Sequence, residues 1–365
     1  MLTNKIYQGD ALEVLKTFPD ECIDMCITSP PYWGLRDYGT AEWDGGDKTC
    51  DHMSAKEKSR YDYSLDSSPI QKPTKGTDAP RWKAECPDCG AIKIDEQIGL
   101  EETPEEFINN LCDIFDEVKR VLRPHGSCWV NLGDSYANSG VMGKVGEQPR
   151  AAKGLAAGRA GTPKGIKTKS LIMIPSRFAI EMINRGWILR NEIIWHKPTC
   201  MPSSATDRYT VDFEKLFFFT KESKYYFKQQ IEDTKAKTIE PRMVEEKRDV
   251  YSAKHKGTHL ASSSRTMTRN KRTVWSINPA SFKEAHFATY PPKLIESPID
   301  AGCPVDGVVL DPFFGSGTTA EVALNQDKNW VGIELNPAYI EIAEKRLKKP
   351  KIAYKTRIKS KKFWG

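Results

Sequence analysis

Val308-Val-Leu310 is a short apolar run that ends in Asp311-Pro-Phe-Phe-Gly-Ser-Gly-Thr-Thr319, and this junction restricts the fold of the chain most strongly. An apolar strand that enters a Gly-x-Gly turn and opens a helix at Thr318 begins a strand–helix–strand unit. Trp330 to Leu335 reads as the next strand. Asn336-Pro337 then caps a helix with Ile340, Ala343 and Leu347 on its apolar face. Two further regions have the same character. Residues 1–45 begin with Lys5 to Asp10, continue as a short helix (Ala11, Leu12, Leu15) and reach an apolar strand, Ile23 to Thr28. Residues 97–135 hold a helix over Pro104 to Leu122, with Phe107, Ile108, Leu111, Ile114, Phe115, Val118 and Leu122 at helical spacing. Thr103, Pro104 and Glu106 form its start signal, and Pro124-His-Gly126 its stop, before a strand over Cys128 to Leu132. Strands alternating with helices predict an α/β fold with a doubly wound, mostly parallel sheet.

Several classes are excluded at once. Apolar runs such as Leu216 to Phe219 are far too short to cross a bilayer. The first ten residues lack a basic cap followed by an apolar stretch, so no membrane partner and a cytoplasmic location are expected. The nine cysteines then stay reduced, as core residues, metal ligands or reactive thiols. Cys22, Cys26, Cys112 and Cys128 lie within apolar patterns and read as core, and packing is the reading for Trp33, Trp43, Trp195 and Trp275.

The Gly315 and Gly317 turn lets backbone N–H groups at a helix start approach a ligand closely. Glu334, seventeen residues after Gly317, ends the next strand, where a carboxylate can accept bonds from two ribose hydroxyls. Gly315-x-Gly317-x-x-Ala320 also fits a relaxed dinucleotide fingerprint. On the glycines alone, a nicotinamide-dependent oxidoreductase and a ligand-free turn both stay open. No Lys follows the loop, so it is not a Walker phosphate loop.

Thr28-Ser-Pro-Pro-Tyr-Trp33 follows directly on the second predicted strand. Pro30 and Pro31 stiffen this loop and offer no N–H, which leaves carbonyl acceptors free. Ser29 and those carbonyls can hold an exocyclic NH₂, and Tyr32 can stack on a planar base. A rigid turn without a ligand is the bland alternative.

Taken together, Ser29-Pro-Pro-Tyr32 and Asp311-Pro-Phe-x-Gly-Ser-Gly-Thr-Thr319 resemble the amino-methylating DNA methyltransferases, in the permuted order of their β class. The resemblance covers roughly half to two-thirds of the chain. It implies a Rossmann-like, S-adenosylmethionine-dependent enzyme that methylates the N4 amine of cytosine or the N6 amine of adenine in double-stranded DNA. By this likeness Ser29, Pro30, Pro31 and Tyr32 form the catalytic loop. Asp311, Pro312, Phe313, Gly315, Ser316, Gly317, Thr318 and Thr319 hold the methionine portion of the cofactor, Glu334 its ribose, and Gly9-Asp10 its adenine. His286, Phe287 and Ala288, within His286 to Leu294, resemble the family's segment lining the cofactor pocket, and Asn191 to Pro198 one of its strands. Ser at the first loop position favours cytosine N4, and adenine N6 is the alternative. The chain has no Pro-Cys dipeptide, which argues against the carbon-5 cytosine chemistry. A restriction–modification setting, with a cognate restriction endonuclease, goes with the resemblance rather than with any residue.

Cys86-Pro-Asp-Cys89-Gly90 has zinc-knuckle spacing, and Cys50 and His52 lie upstream. A structural zinc on Cys50, His52, Cys86 and Cys89 is therefore expected, with an unusually tight first pair. The net charge of +6 is unevenly spread. Lys and Arg outnumber acids seven to one over 142–170 and fourteen to seven over 221–275, and 345–365 has ten and no acid. Basic segments on a net acidic body point to a polyanion, and a zinc-containing DNA binder without activity is a third class to weigh. The expected organisation is a first catalytic segment with the catalytic loop (1–45), a zinc-binding insertion (46–95), a second catalytic segment (96–199, with a mobile loop at 139–166), a target-recognition region (200–285), a cofactor-binding segment (286–350) and a basic tail (351–365).

Overall fold

A computed structural model describes residues 1–34, 42–47, 49–50, 86, 88–94, 97–137, 165–233, 268–279 and 290–348. Eight strands among them form one sheet. In chain order the elements are β1 (Lys5–Gln8), α1 (Ala11–Lys16), β2 (Ile23–Thr28), β3 (Glu42–Asp44), β4 (Ile92–Ile94), α2 (Pro104–Val121), β5 (Leu122–Leu132), α3 (Ile174–Asn184) and β6 (Ile188–His196). There follow β7 (Phe213–Thr220), β8 (Ile231–Asp233), β9 (Thr268–Asn270), β10 (Val274–Ser276), α4 (Pro292–Gly302), β11 (Val308–Asp311), α5 (Thr318–Asn325), β12 (Asn329–Glu334) and α6 (Pro337–Leu347).

The sheet runs β1-β12-β11-β2-β5-β7-β6-β10. Every pairing is parallel except the two that β7 makes, with β5 and with β6. The strands β2 and β11 are buried along their whole length, as strands covered by helices on both faces must be. One core layer holds Leu15, Phe107, Phe115, Phe178, Phe217 and Phe219, beneath α1, α2 and α3. The other holds Leu216, Phe218, Ile295, Ile299, Ala323 and Ala343, beneath α4, α5 and α6. The run Leu216 to Phe219 thus feeds alternate side chains to opposite layers. The expected doubly wound, mostly parallel sheet is present, and so is the permuted motif order. The pairs Val309–Met25 and Leu310–Cys26 set the late strand β11 against the early strand β2.

Local signals place α1, β2, α2, β11, α5, β12 and α6 correctly. Thr103 and Glu106 form a full capping box at the start of α2. Asn336 caps α6 by accepting the Ala338 N–H. The expected break at Pro124 to Gly126 is different: α2 stops at Val121 and β5 begins at Leu122. Pairing with β2 recruits these residues, and the register slips between Ile23–Leu122 and Met25–Ser127 to absorb them. Within 200–285, the described strands β7 and β10 lie in the main sheet. No helix among the described residues is long and apolar enough to cross a membrane.

Candidate active site

The carboxyl ends of β1, β12, β11, β2 and β5 lie along one edge of the sheet, the edge at which parallel α/β sheets bind ligands. Each motif emerges there. Gln8 pairs with Glu334, so Gly9-Asp10 and Glu334 leave neighbouring strands side by side. The Gly9 N–H donates to the Glu334 carbonyl at 3.1 Å. The Asp10 side chain caps α1, accepting the Glu13 N–H at 3.0 Å. Glu334 accepts the N–H groups of Gly315 (2.8 Å) and Asn336 (2.9 Å), one on each oxygen. Burial pushes its carboxyl above the ordinary range.

The turn after β11 needs left-handed backbone at Gly315 (φ 51°) and Gly317 (φ 80°). A Cβ at Gly317 would stand 3.2 Å from that of Ala343 in α6. The two phenylalanines separate. Phe314 is buried over Gly332, where a Cβ would fall 2.3 Å from its ring, and it stacks on Trp330. Phe313 stays half-buried. Asp311 is fully buried with Pro312, and it accepts four bonds: Thr28 Oγ1 (2.6 Å) and the Phe313 N–H (3.1 Å) on Oδ1, Thr319 Oγ1 (2.5 Å) and the Tyr290 hydroxyl (3.0 Å) on Oδ2. Desolvation nevertheless raises its carboxyl above the ordinary value. Asp311 is therefore a hub inside the protein. Ser316 and Thr318 face α6, where Arg346 Nη1 donates to their hydroxyls at 3.1 and 2.9 Å. Arg346 in turn pairs with Glu321 at 2.5 Å. His286, Phe287 and Ala288 lie outside the described residues.

The loop after β2 holds Ser29 and Tyr32 half-buried on either side of buried Pro30 and half-buried Pro31. The Tyr32 hydroxyl donates to Glu214 Oε2 (2.8 Å) and lies 3.3 Å from Asn131 Oδ1. Because β7 runs against its neighbours, its first residues reach the site edge, which is how Glu214 arrives there. Lys197 pairs with Glu214, and its ammonium lies 4.3 Å from the Trp195 ring centroid. Gly133, one residue beyond β5, lies against the Tyr32 ring. Asp134 follows, accepting the N–H groups of Ser135 (2.9 Å) and Ile174 (3.1 Å) and so fixing the start of α3.

Sequence reasoning misses Asn131, Lys197, Glu214 and Arg346 as site-building residues, and it includes Tyr290 only as a member of the His286 to Leu294 segment. Glu214 has a signal, since Glu214 and Lys215 are the charged residues of an otherwise apolar strand. Arg346 belongs to a basic segment of the sequence, yet it is turned inward. Among the described residues of this segment and of 221–275, Lys345 pairs with Glu341, Lys348 with Glu344, Lys228 with Asp300, and Arg269 and Arg272 with Glu232. The Sγ atoms of Cys50, Cys86 and Cys89 lie within 4.8 Å of one another, whereas His52 is outside the described residues. Cys26, Cys112 and Cys128 are buried, as expected, and Cys22 is half-buried. Trp33 and Trp195 are buried, while Trp43 and Trp275 are half-buried.

A family model described as DNA methylase matches residues 23–345. The type II methyltransferase M.Cfr9I of Citrobacter freundii is 37% identical over 342 residues, covering 94% of this chain and 87% of its own. The type II methyltransferase M.SmaI of Serratia marcescens is 33% identical over 343 residues, covering 94% and 90%. Among solved structures, the PvuII DNA methyltransferase (cytosine-N4-specific) is similar in fold, with a TM-score of 0.54 at 19% identity, covering 95% of this chain and 86% of that one.

Proposed function

Because the chain belongs to the N6_N4_Mtase family of DNA methylases, we propose that it transfers the methyl group of S-adenosylmethionine to the N4 amine of cytosine in double-stranded DNA. The supporting observation is the Thr28–Asp311 hydrogen bond of 2.6 Å, which joins the Ser29-Pro-Pro-Tyr32 loop to the Gly315–Gly317 turn at one sheet edge. The residues present suit the cofactor. Gly315 and Gly317 give backbone without side chains, Asp10 and Glu334 offer carboxylates from adjacent strands, and Phe313 offers a half-buried ring. When bound, the cofactor supplies an electrophilic methyl group.

The chain's own residues then act on the base. A target cytosine leaves the duplex stack and rests on Tyr32, whose hydroxyl is already fixed by Glu214. Its aromatic amine is a poor nucleophile, because the nitrogen lone pair is delocalised into the ring. Bonds from its two N–H protons to the Ser29 hydroxyl and the Pro30 carbonyl draw the nitrogen toward sp³ and free that lone pair. Positioning and these acceptors supply much of the rate, and no covalent base adduct is required. The half-buried and exposed residues after β6, Met201 and Tyr209 among them, emerge at the same edge and suit contact with DNA. The likeness to type II methyltransferases supports a restriction–modification role in the cytoplasm, beside a cognate endonuclease.

Mass spectrometry of nucleosides from the DNA of a methylation-free bacterial host expressing the chain tests this, with Tyr32→Ala as control. N4-methylcytosine that vanishes in the control is the expected result. N6-methyladenine in its place would keep the mechanism and overturn the choice of base that rests on Ser29.

A further inference from the structure

We propose that Cys50, Cys86 and Cys89 bind one structural zinc ion, which closes the insertion that follows the catalytic loop. The three Sγ atoms lie within 4.8 Å of one another, and those of Cys50 and Cys86 are 3.8 Å apart. Zinc–thiolate bonds of about 2.3 Å at the tetrahedral angle place two sulfurs about 3.8 Å apart. A disulfide would need about 2 Å.

The surrounding backbone is built to bring these thiols together. The strands β3 and β4 pair antiparallel, with Asp44 opposite Ile92, so the turn bearing Cys50 and the Cys86-to-Gly90 knuckle meet at one end of the ribbon. The knuckle is closed by the Gly90 N–H on the Cys86 carbonyl (2.9 Å) and the Cys86 N–H on the Ala91 carbonyl (2.7 Å). Gly90 takes φ 72°, which a side chain would resist. On the facing turn, Gly46 takes φ 67°, and a Cβ there would fall 2.7 Å from Cys89 Sγ. A side chain at 46 would therefore collide with the Cys89 sulfur.

Its base touches the active site. The Gly34 N–H donates to the Gly99 carbonyl at 2.9 Å, joining the two ends of the insertion. Trp33 Nε1 donates to the Glu101 carbonyl at 3.0 Å, and a Cβ on Gly99 would stand 3.1 Å from the Tyr32 carbonyl. A two-stranded ribbon is at best marginal alone. A metal crosslink stabilises such a unit.

The test is zinc content of the full chain purified without chelator, measured by mass spectrometry of the metal, beside Cys50→Ser, Cys86→Ser and Cys89→Ser. About one zinc per chain, falling roughly tenfold or more in each variant, is expected. Should a variant fail to fold, cobalt replacement in the unmutated chain reads the same site. Intense visible absorption with thiolate-to-cobalt charge transfer supports three sulfur ligands, and weak octahedral absorption overturns them. Zinc well below one per chain in the folded protein, or zinc unchanged in the variants, also overturns the site. Removal of zinc should lower the melting temperature, and an unchanged melting temperature would overturn the structural role.

Discussion

The hydroxyl of Thr28 donates to the Asp311 carboxylate at 2.6 Å across 283 positions of sequence. Thr28 is the last residue before the Ser29-Pro-Pro-Tyr32 loop, and Asp311 is the last residue of the strand that feeds the glycine turn. Both are buried, so the bond is shielded from water. It fixes the Ser29-Pro-Pro-Tyr32 loop against the Gly315–Gly317 turn.

Thr28→Val keeps the β-branched shape and removes the hydroxyl. It leaves Asp311 Oδ1 with the Phe313 N–H. A loss of about 1–3 kcal/mol in folding stability is expected from a buried acceptor deprived of a donor. Cofactor affinity should fall several-fold as the turn loosens. Urea midpoints and calorimetric titration with S-adenosylmethionine measure the two.

Ser29→Ala and Tyr32→Ala should retain cofactor binding and lose most turnover, while Asp311→Ala and Glu334→Ala should weaken cofactor binding. Equilibrium binding and single-turnover methylation separate the classes. Full activity in Tyr32→Ala would remove the loop from the reaction.

Gly133→Ala probes the Tyr32 ring without touching it. The new Cβ would fall 2.6 Å from Cε2, so the ring has to shift. A displacement approaching 1 Å costs up to about a hundredfold in rate. Turnover is expected to drop at least tenfold, with cofactor affinity unchanged. A wild-type rate would mean that the ring's position is immaterial.

Arg346 holds the back of the Gly315–Gly317 turn through Ser316, Thr318 and Glu321. Its side chain is 12% exposed, so the pair with Glu321 is largely desolvated. Arg346→Ala should cost about 2–4 kcal/mol, much of it from leaving Glu321 without its partner. A double-mutant cycle with Glu321→Gln should return a coupling of at least about 1 kcal/mol.

Stability should also depend on pH through Asp311. Burial raises its folded-state carboxyl above the unfolded value, so the folded chain holds this proton more tightly. The fold then loses stability as pH rises from about 4 through the raised value. Asp311→Asn removes that component. The stability difference between variant and wild type should therefore grow in the variant's favour over this range. A difference independent of pH, in urea midpoints from about pH 4 to about 7, would contradict the raised carboxyl.

Local patterns determined a good deal by themselves. Apolar runs at strand spacing, the Thr103–Glu106 capping box and the two loops with prolines or glycines follow from steric and hydrogen-bonding rules acting over a few residues. They are enough to predict the α/β class, while the permuted order comes from the family resemblance that the two loops carry. Tertiary structure decided what depends on residues far apart in sequence. It reversed β7, which carries Glu214 to the hydroxyl of Tyr32, and it turned Arg346 from a member of a basic run into a clamp on the glycine turn. It turned Ser316 and Thr318 toward α6 and made Asp311 an internal hub. A strand's direction and a side chain's facing are set by which layer can bury it, and that layer is assembled from the whole chain.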